Sequence, residues 1–139
     1  MEKAKILYDR SNGLMEKILE NTRKAYEKGP EALTSREKDL YRKILNKFLR
    51  KAKSRPENPE YVLFGIAQFH WHALMYWSLV RGKWPLPIYR AGERVKEEDP
   101  HFYESLSVLT SPEKSDEEKI RTMEAIRNTL FWESRFGEG

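Results

Sequence analysis

The chain of 139 residues is long enough for one packed domain and short for two, and 35% charged with 39% hydrophobic residues suits a globular rather than a disordered protein. The complete lack of cysteine excludes a disulfide scaffold, thiolate metal ligands and a cysteine nucleophile. The net charge of +4 hides a split: residues 1–96 carry 21 basic and 11 acidic side chains and residues 97–139 carry 5 and 11, so one part can attract phosphate while the other can pair with it inside the fold.

The opening "MEKAKILYDR" holds a three-residue apolar run, too short for a signal-peptide core, so a cytoplasmic location is expected. Within it "KILYD" fits a short strand or extended arm, and "DRSNG" supplies turn residues, which makes residues 1–13 an N-terminal arm. From Leu14 the residues Leu14, Ile18, Leu19, Thr22, Ala25 and Tyr26 recur at helical spacing until Gly29-Pro30 stops them. A second helix follows, with Thr34 and Glu37 spaced as a capping box and Leu40, Tyr41, Ile44, Leu45, Phe48, Leu49 and Ala52 as its apolar stripe. Opposite that stripe Lys43, Lys47 and Arg50 form a basic line with Arg36, a candidate phosphate or nucleic-acid contact against the plainer reading of a solvated face.

Asn58-Pro59 reads as N-cap and first residue of a third helix, which holds "VLFGIAQFHWHALMYWSLVRGKW" (residues 62–84) and stops near Arg81-Gly82 before "KWPLP". Residues 61–80 are long enough for a membrane span, but Gln68, His70, His72 and Ser78 interrupt them with no second span to face, so the segment reads as the middle of a soluble bundle, apolar all round because other helices surround it. His70 and His72 fall about 200° apart on a helix and cannot share one metal ion. Trp71, Tyr76, Trp77 and Trp84 are core residues first, and walls for a ligand groove second.

Residues 88–96 fit a short helix weakened at Gly92. Asp99-Pro100 repeats the cap-plus-proline signature ahead of Phe102, Tyr103, Leu106 and Leu109, and Ser115 with Glu118 opens a last helix bearing Ile120, Met123, Ile126, Leu130 and Phe131. The fold class is therefore all-α: a four-helix-type bundle over residues 14–136 with one or two additional short helices, the whole of 1–139 forming a single helical domain without internal repeats. No glycine-rich phosphate loop, Gly-x-Ser-x-Gly, His-Glu-x-x-His or Asp-x-Asp pair is present, so no catalytic residue, metal ligand or cofactor is assigned. Arg94 and His101 carry the Arg-x(4–6)-His spacing of HEPN ribonucleases, with Val95 where a polar residue is usual and Pro100 breaking the helix between them.

Taken in order, "AKILYDRSNGL", the long helical pair, the aromatic helix ending in "RGKWPLP", "DPHFYESL" and "SDEEKIRTMEAIRNTLF" resemble the helical C-terminal half of nucleotidyltransferases of the kanamycin nucleotidyltransferase class, a substrate-binding HEPN-like bundle. The resemblance covers nearly the whole chain and implies a bundle that recognises an acceptor or pairs with a separate nucleotidyltransferase catalytic subunit. It also implies that Arg81, Lys83, Trp84 and Arg90 lie near the substrate or partner, although Ile88, Tyr89 and Arg90 follow the proline turn where the family often has lysine; His70 and Trp77 join them as candidate binding residues from the aromatic helix itself. The expected function is non-catalytic recognition. The alternatives are nucleic-acid binding through Lys43, Lys47 and Arg50, and an HEPN-like ribonuclease; a homodimer built on exposed aromatics is a further expectation, and a membrane partner is not.

Overall fold

The computed structural model describes residues 13–131, and every regular element among them is an α-helix. The strand or arm expected within residues 1–13 lies outside the described residues except for Gly13, as does the stretch 132–136 assigned to the bundle. Backbone contacts divide the chain into two units, Met1–Glu31 and Ala32–Gly139. The first holds α1 (Leu14–Lys28), which buries none of its residues; Leu14, Ile18 and Leu19 are all exposed.

The second unit contains α2 (Ser35–Ser54), α3 (Pro59–Val80), α4 (Ile88–Glu98), α5 (Pro100–Thr110) and α6 (Asp116–Leu130). Local chemistry sets their starts. At α2 the Thr34 hydroxyl accepts from the Glu37 amide at 3.1 Å while the Glu37 carboxylate accepts from the Thr34 amide at 3.2 Å, the reciprocal box that satisfies two donors a helix leaves open. Asn58, Asp99 and Ser115 each accept from the amide three residues on, at 3.1, 3.2 and 3.2 Å. Proline follows the first two, where its fixed φ suits a helix and its missing N–H costs nothing. Asp116, Glu117 and Glu118 place negative charge on the positive end of α6.

The end of α3 is equally local. Gly82 takes φ 70°, its amide donates to the Leu79 carbonyl at 3.0 Å and the Lys83 amide donates to the Ser78 carbonyl at 2.9 Å, the paired bonds of a Schellman cap. The proline turn then carries the chain into α4. That helix is continuous through Gly92, because Ala91 and Val95 are buried and hold the turn on either side of it.

α3 is the hub and packs against each of the other four helices of its unit. Phe69, Ala73 and Trp77 are fully enclosed, meeting a core to which α2 gives Leu45 and Phe48, α5 Phe102 and Leu106, and α6 Met123 and Ile126. Burying side chains of this size stabilises by about 1.5–3 kcal/mol each before chain entropy is set against it. α2 and α3 approach closely at Gly65, where a Cβ would stand 2.9 Å from the Ala52 amide nitrogen. α6 is tied to α2 by Arg127 donating to Asn46 at 2.8 Å and by Lys53 to Glu124 at 2.5 Å, a bond that holds the Glu124 carboxyl below its usual range.

In one respect α3 departs from the expected helix surrounded on all sides. Leu63, Phe64 and Trp71 are 62%, 55% and 45% exposed, and Ala67 between them is exposed too, because the neighbouring helices cover only part of its circumference. No described helix is long and apolar enough to cross a membrane.

Candidate recognition site

Two constellations border the far half of α3. One is a surface cleft of about 220 Å³ between α3, α4 and α5, lined by His70, Leu74, Ile88, Gly92, Tyr103 and Leu106, with the hydroxyl residues Ser107 and Thr110 at its side. α3 supplies His70 and Leu74 one turn apart. α4 supplies Ile88 and Gly92 at the same spacing, and Gly92 opens the space because a Cβ there would meet nothing within 4 Å.

His70 is half-buried, and desolvation pulls its pKa below the ordinary histidine value, so the imidazole is neutral at pH 7. Its ring nitrogens make no hydrogen bond among the described residues, whereas Ser107 and Thr110 spend their hydroxyl protons on the carbonyls of Tyr103 and Ser107, at 2.9 and 3.3 Å. A neutral imidazole offers one donor and one acceptor, and the two hydroxyl oxygens still accept. On the other flank of Leu74 and Ile88 a small hollow of about 40 Å³ is walled by Trp71, Met75 and Pro85. His72 turns the opposite way from His70: its Nδ1 donates to the Gln68 carbonyl at 2.7 Å, and its ring lies 4.7 Å from Phe48 and 5.8 Å from Tyr76. Tyr76, stacked 4.5 Å from Tyr41, has its phenol pushed up to about 12 by burial and then by Tyr41.

The second constellation is a polar clasp at the proline turn. The fully buried Trp77 donates its indole N–H to Asp99 Oδ2 at 3.2 Å, and Arg81 donates to the same oxygen at 2.7 Å with its guanidinium 4.5 Å from the Trp77 ring. Lys83 pairs with Glu98. Arg94 donates to Ser78 Oγ at 2.7 Å and to the Trp84 carbonyl at 2.9 Å. Carboxylates at the α4–α5 joint therefore neutralise the cations of the turn, and the guanidinium of Arg94 fastens the turn from the α4 side.

The candidate residues of the sequence fall into three places. His70 lines the cleft; Trp77, Arg81, Lys83 and Trp84 belong to the clasp, where Trp77 has no surface to offer a partner; Arg90 is exposed on the first turn of α4. Lys43, Lys47 and Arg50 are exposed along α2, and none is paired with a carboxylate among the described residues. Arg94 and His101 stand on different helices, Arg94 committed to the clasp and His101 exposed at the start of α5. Among the described residues no three His, Asp or Glu side chains gather as a metal set.

Sequence reasoning missed Gly92, Tyr103, Ser107 and Asp99. A glycine inside an otherwise good helix pattern was the signal for the first, and the cap at Asp99 hid its other two partners. No family model, no curated protein and no solved structure matches this chain.

Proposed function

We propose that the chain is a non-catalytic recognition module that seats one side chain of a partner protein in the His70–Gly92 cleft, the partner being a separate nucleotidyltransferase-type catalytic subunit. The observation that carries the reading is His70: a half-buried neutral imidazole on an apolar cleft, with no hydrogen bond among the described residues. The ring nitrogens of His70 are not among the buried polar atoms left without a partner, so a ligand's polar group can replace water on them without breaking a bond inside the protein. The volume chooses between ligands. Small-molecule sites run to about 300–1,000 Å³, and about 220 Å³ holds a single anchoring side chain rather than a nucleotide. The catalytic nature of the partner rests on the order of the sequence motifs alone; it would supply metal and nucleotide while this module orients the acceptor.

The test is affinity capture from the native extract with four baits: the natural chain, Gly92→Ala, Gly92→Leu and His70→Ala. The natural chain and Gly92→Ala should retain the same protein, one with a Gly-Ser turn and an Asp-x-Asp pair, while Gly92→Leu, which fills the cleft, and His70→Ala lose it. Equal recovery by all four baits would remove the cleft from the reading, and recovery only of a second copy of the chain would replace it with self-association.

A further inference from the structure

We propose that the outer face of α2 binds the phosphate backbone of double-stranded nucleic acid, without reading its sequence, through Arg36, Lys43, Lys47 and Arg50. The face shares no residue with the His70–Gly92 cleft, and the proposal does not rest on that cleft's function.

α2 carries eight cationic side chains and two carboxylates. Both carboxylates are spent, Glu37 in the capping box and Asp39 on Arg42. Two of the cations are spent on neighbouring helices, Lys53 on Glu124 of α6 and Lys51 on Gln68 of α3 at 3.1 Å. By contrast Arg36, Lys43, Lys47 and Arg50 are all exposed, and none meets a carboxylate among the described residues. Their i, i+7, i+11, i+14 spacing sets them on one line about 21 Å long at 1.5 Å per residue. That line lies on the side of α2 turned away from the buried Leu45, Phe48, Leu49 and Ala52. α6 widens it: Asn46 stands one turn from both Lys43 and Arg50, and Arg127 donates to its side-chain oxygen at 2.8 Å.

In the free protein this arrangement is unfavourable. Lys43 repels Lys47 at i, i+4 and Lys47 repels Arg50 at i, i+3, while Arg36 sits in the first turn, at the positive end of the helix dipole. A polyanion laid along the row relieves all three repulsions and releases its own counterions.

The surroundings of the row select the polyanion. Lysine is depleted at the centres of protein–protein interfaces, whereas interfaces with nucleic acid are strongly basic. A helix lying on a membrane buries an apolar face, but α2 has spent its own on the core, and Leu40 is its one exposed large apolar side chain. The aromatic residues of α2, Tyr41 and Phe48, turn toward α3, where they meet Tyr76 and His72. The row therefore offers no ring on which the bases of a single strand could stack. A duplex needs none, and it presents about one charge per 1.7 Å of its axis against one per 3.4 Å on a single strand.

The experiment is fluorescence anisotropy of a labelled duplex of about 20 base pairs, and of one of its strands alone, titrated with the full chain across a salt series. The duplex should bind more tightly than the strand. Replacing Lys43, Lys47 and Arg50 together by glutamine should weaken the duplex roughly tenfold or more at low salt, and should flatten the slope of log affinity against log salt by roughly 3, at about 0.9 per phosphate. Replacing Lys114, Lys119 and Arg121 by glutamine removes the same charge elsewhere and should change that slope by less than about 1. Acetylation of the natural chain, followed by mass spectrometry, reports the face without any substitution: saturating duplex should protect Lys43 and Lys47 and leave Lys114 as reactive as in the free chain. No duplex binding, tighter binding of the strand, equal effects of the two triple variants, or unprotected Lys43 and Lys47 would each overturn the proposal. Binding to vesicles of phosphatidylserine and phosphatidylcholine with none to the duplex would overturn it in favour of a membrane surface.

Discussion

Gly65 fixes how near two helices can come. A Cβ there would meet only backbone atoms, the Ala52 nitrogen at 2.9 Å and the Phe48 carbonyl oxygen at 3.2 Å, so nothing flexible can yield to a methyl group. Gly65→Ala should destabilise by about 1–3 kcal/mol despite the better helix propensity of alanine, read as a lowered denaturant midpoint. Asp99 serves three donors, and two substitutions separate its roles. Asp99→Asn keeps a capping oxygen for Phe102 but loses the charge under Arg81, whereas Asp99→Ala also loses the cap, worth about 1 kcal/mol, so the alanine variant should be the less stable by about that amount in urea unfolding. His70 makes a pH prediction. Burial lowers its folded pKa below the unfolded value, so between the two values the unfolded chain binds more protons and stability falls as pH drops through about 6.5. Melting temperature, followed from pH 7.5 to pH 5, should therefore decline more steeply for the natural chain than for His70→Gln.

At the scale of the element, the helix boundaries were the most legible part of the sequence, because caps are decided within a few residues. Thr34 with Glu37, Asn58-Pro59 and Asp99-Pro100 each act where the spacing placed them. α4 is the instructive exception. Gly92 reads as a weak point, yet the helix runs through it, since tertiary anchoring by Ala91 and Val95 outweighs a local penalty of about 1 kcal/mol. With open space at its Cβ position, Gly92→Ala should raise stability by up to that amount in thermal melts, which distinguishes a glycine kept for the cleft from one kept for the backbone. The candidate site was legible only in part. His70 could be singled out as a polar residue in an apolar run, but Tyr103 and Ser107 reach it only once α5 has packed against α3 and α4, and no periodicity within one helix reports that. The exposure of Phe64 and Trp71 is hidden in the sequence for the same reason: the composition around them is that of a core, and only the arrangement of neighbouring helices leaves them outside.

Across the whole molecule, every buried apolar side chain among the described residues belongs to the second unit. The cooperative unfolding transition should therefore report the packing of that unit's core. The clasp at Asp99 bears on how that transition proceeds. One carboxylate holds the indole of α3, the arginine that closes α3 and the Phe102 amide in the first turn of α5, so displacing Asp99 releases all three together. In solvent deuterium the Trp77 indole proton and the Phe102 amide proton, distant in sequence, should show the same protection once each is divided by its intrinsic exchange rate, as a single opening event requires. The two ends of the proline turn would then be kinetically one body.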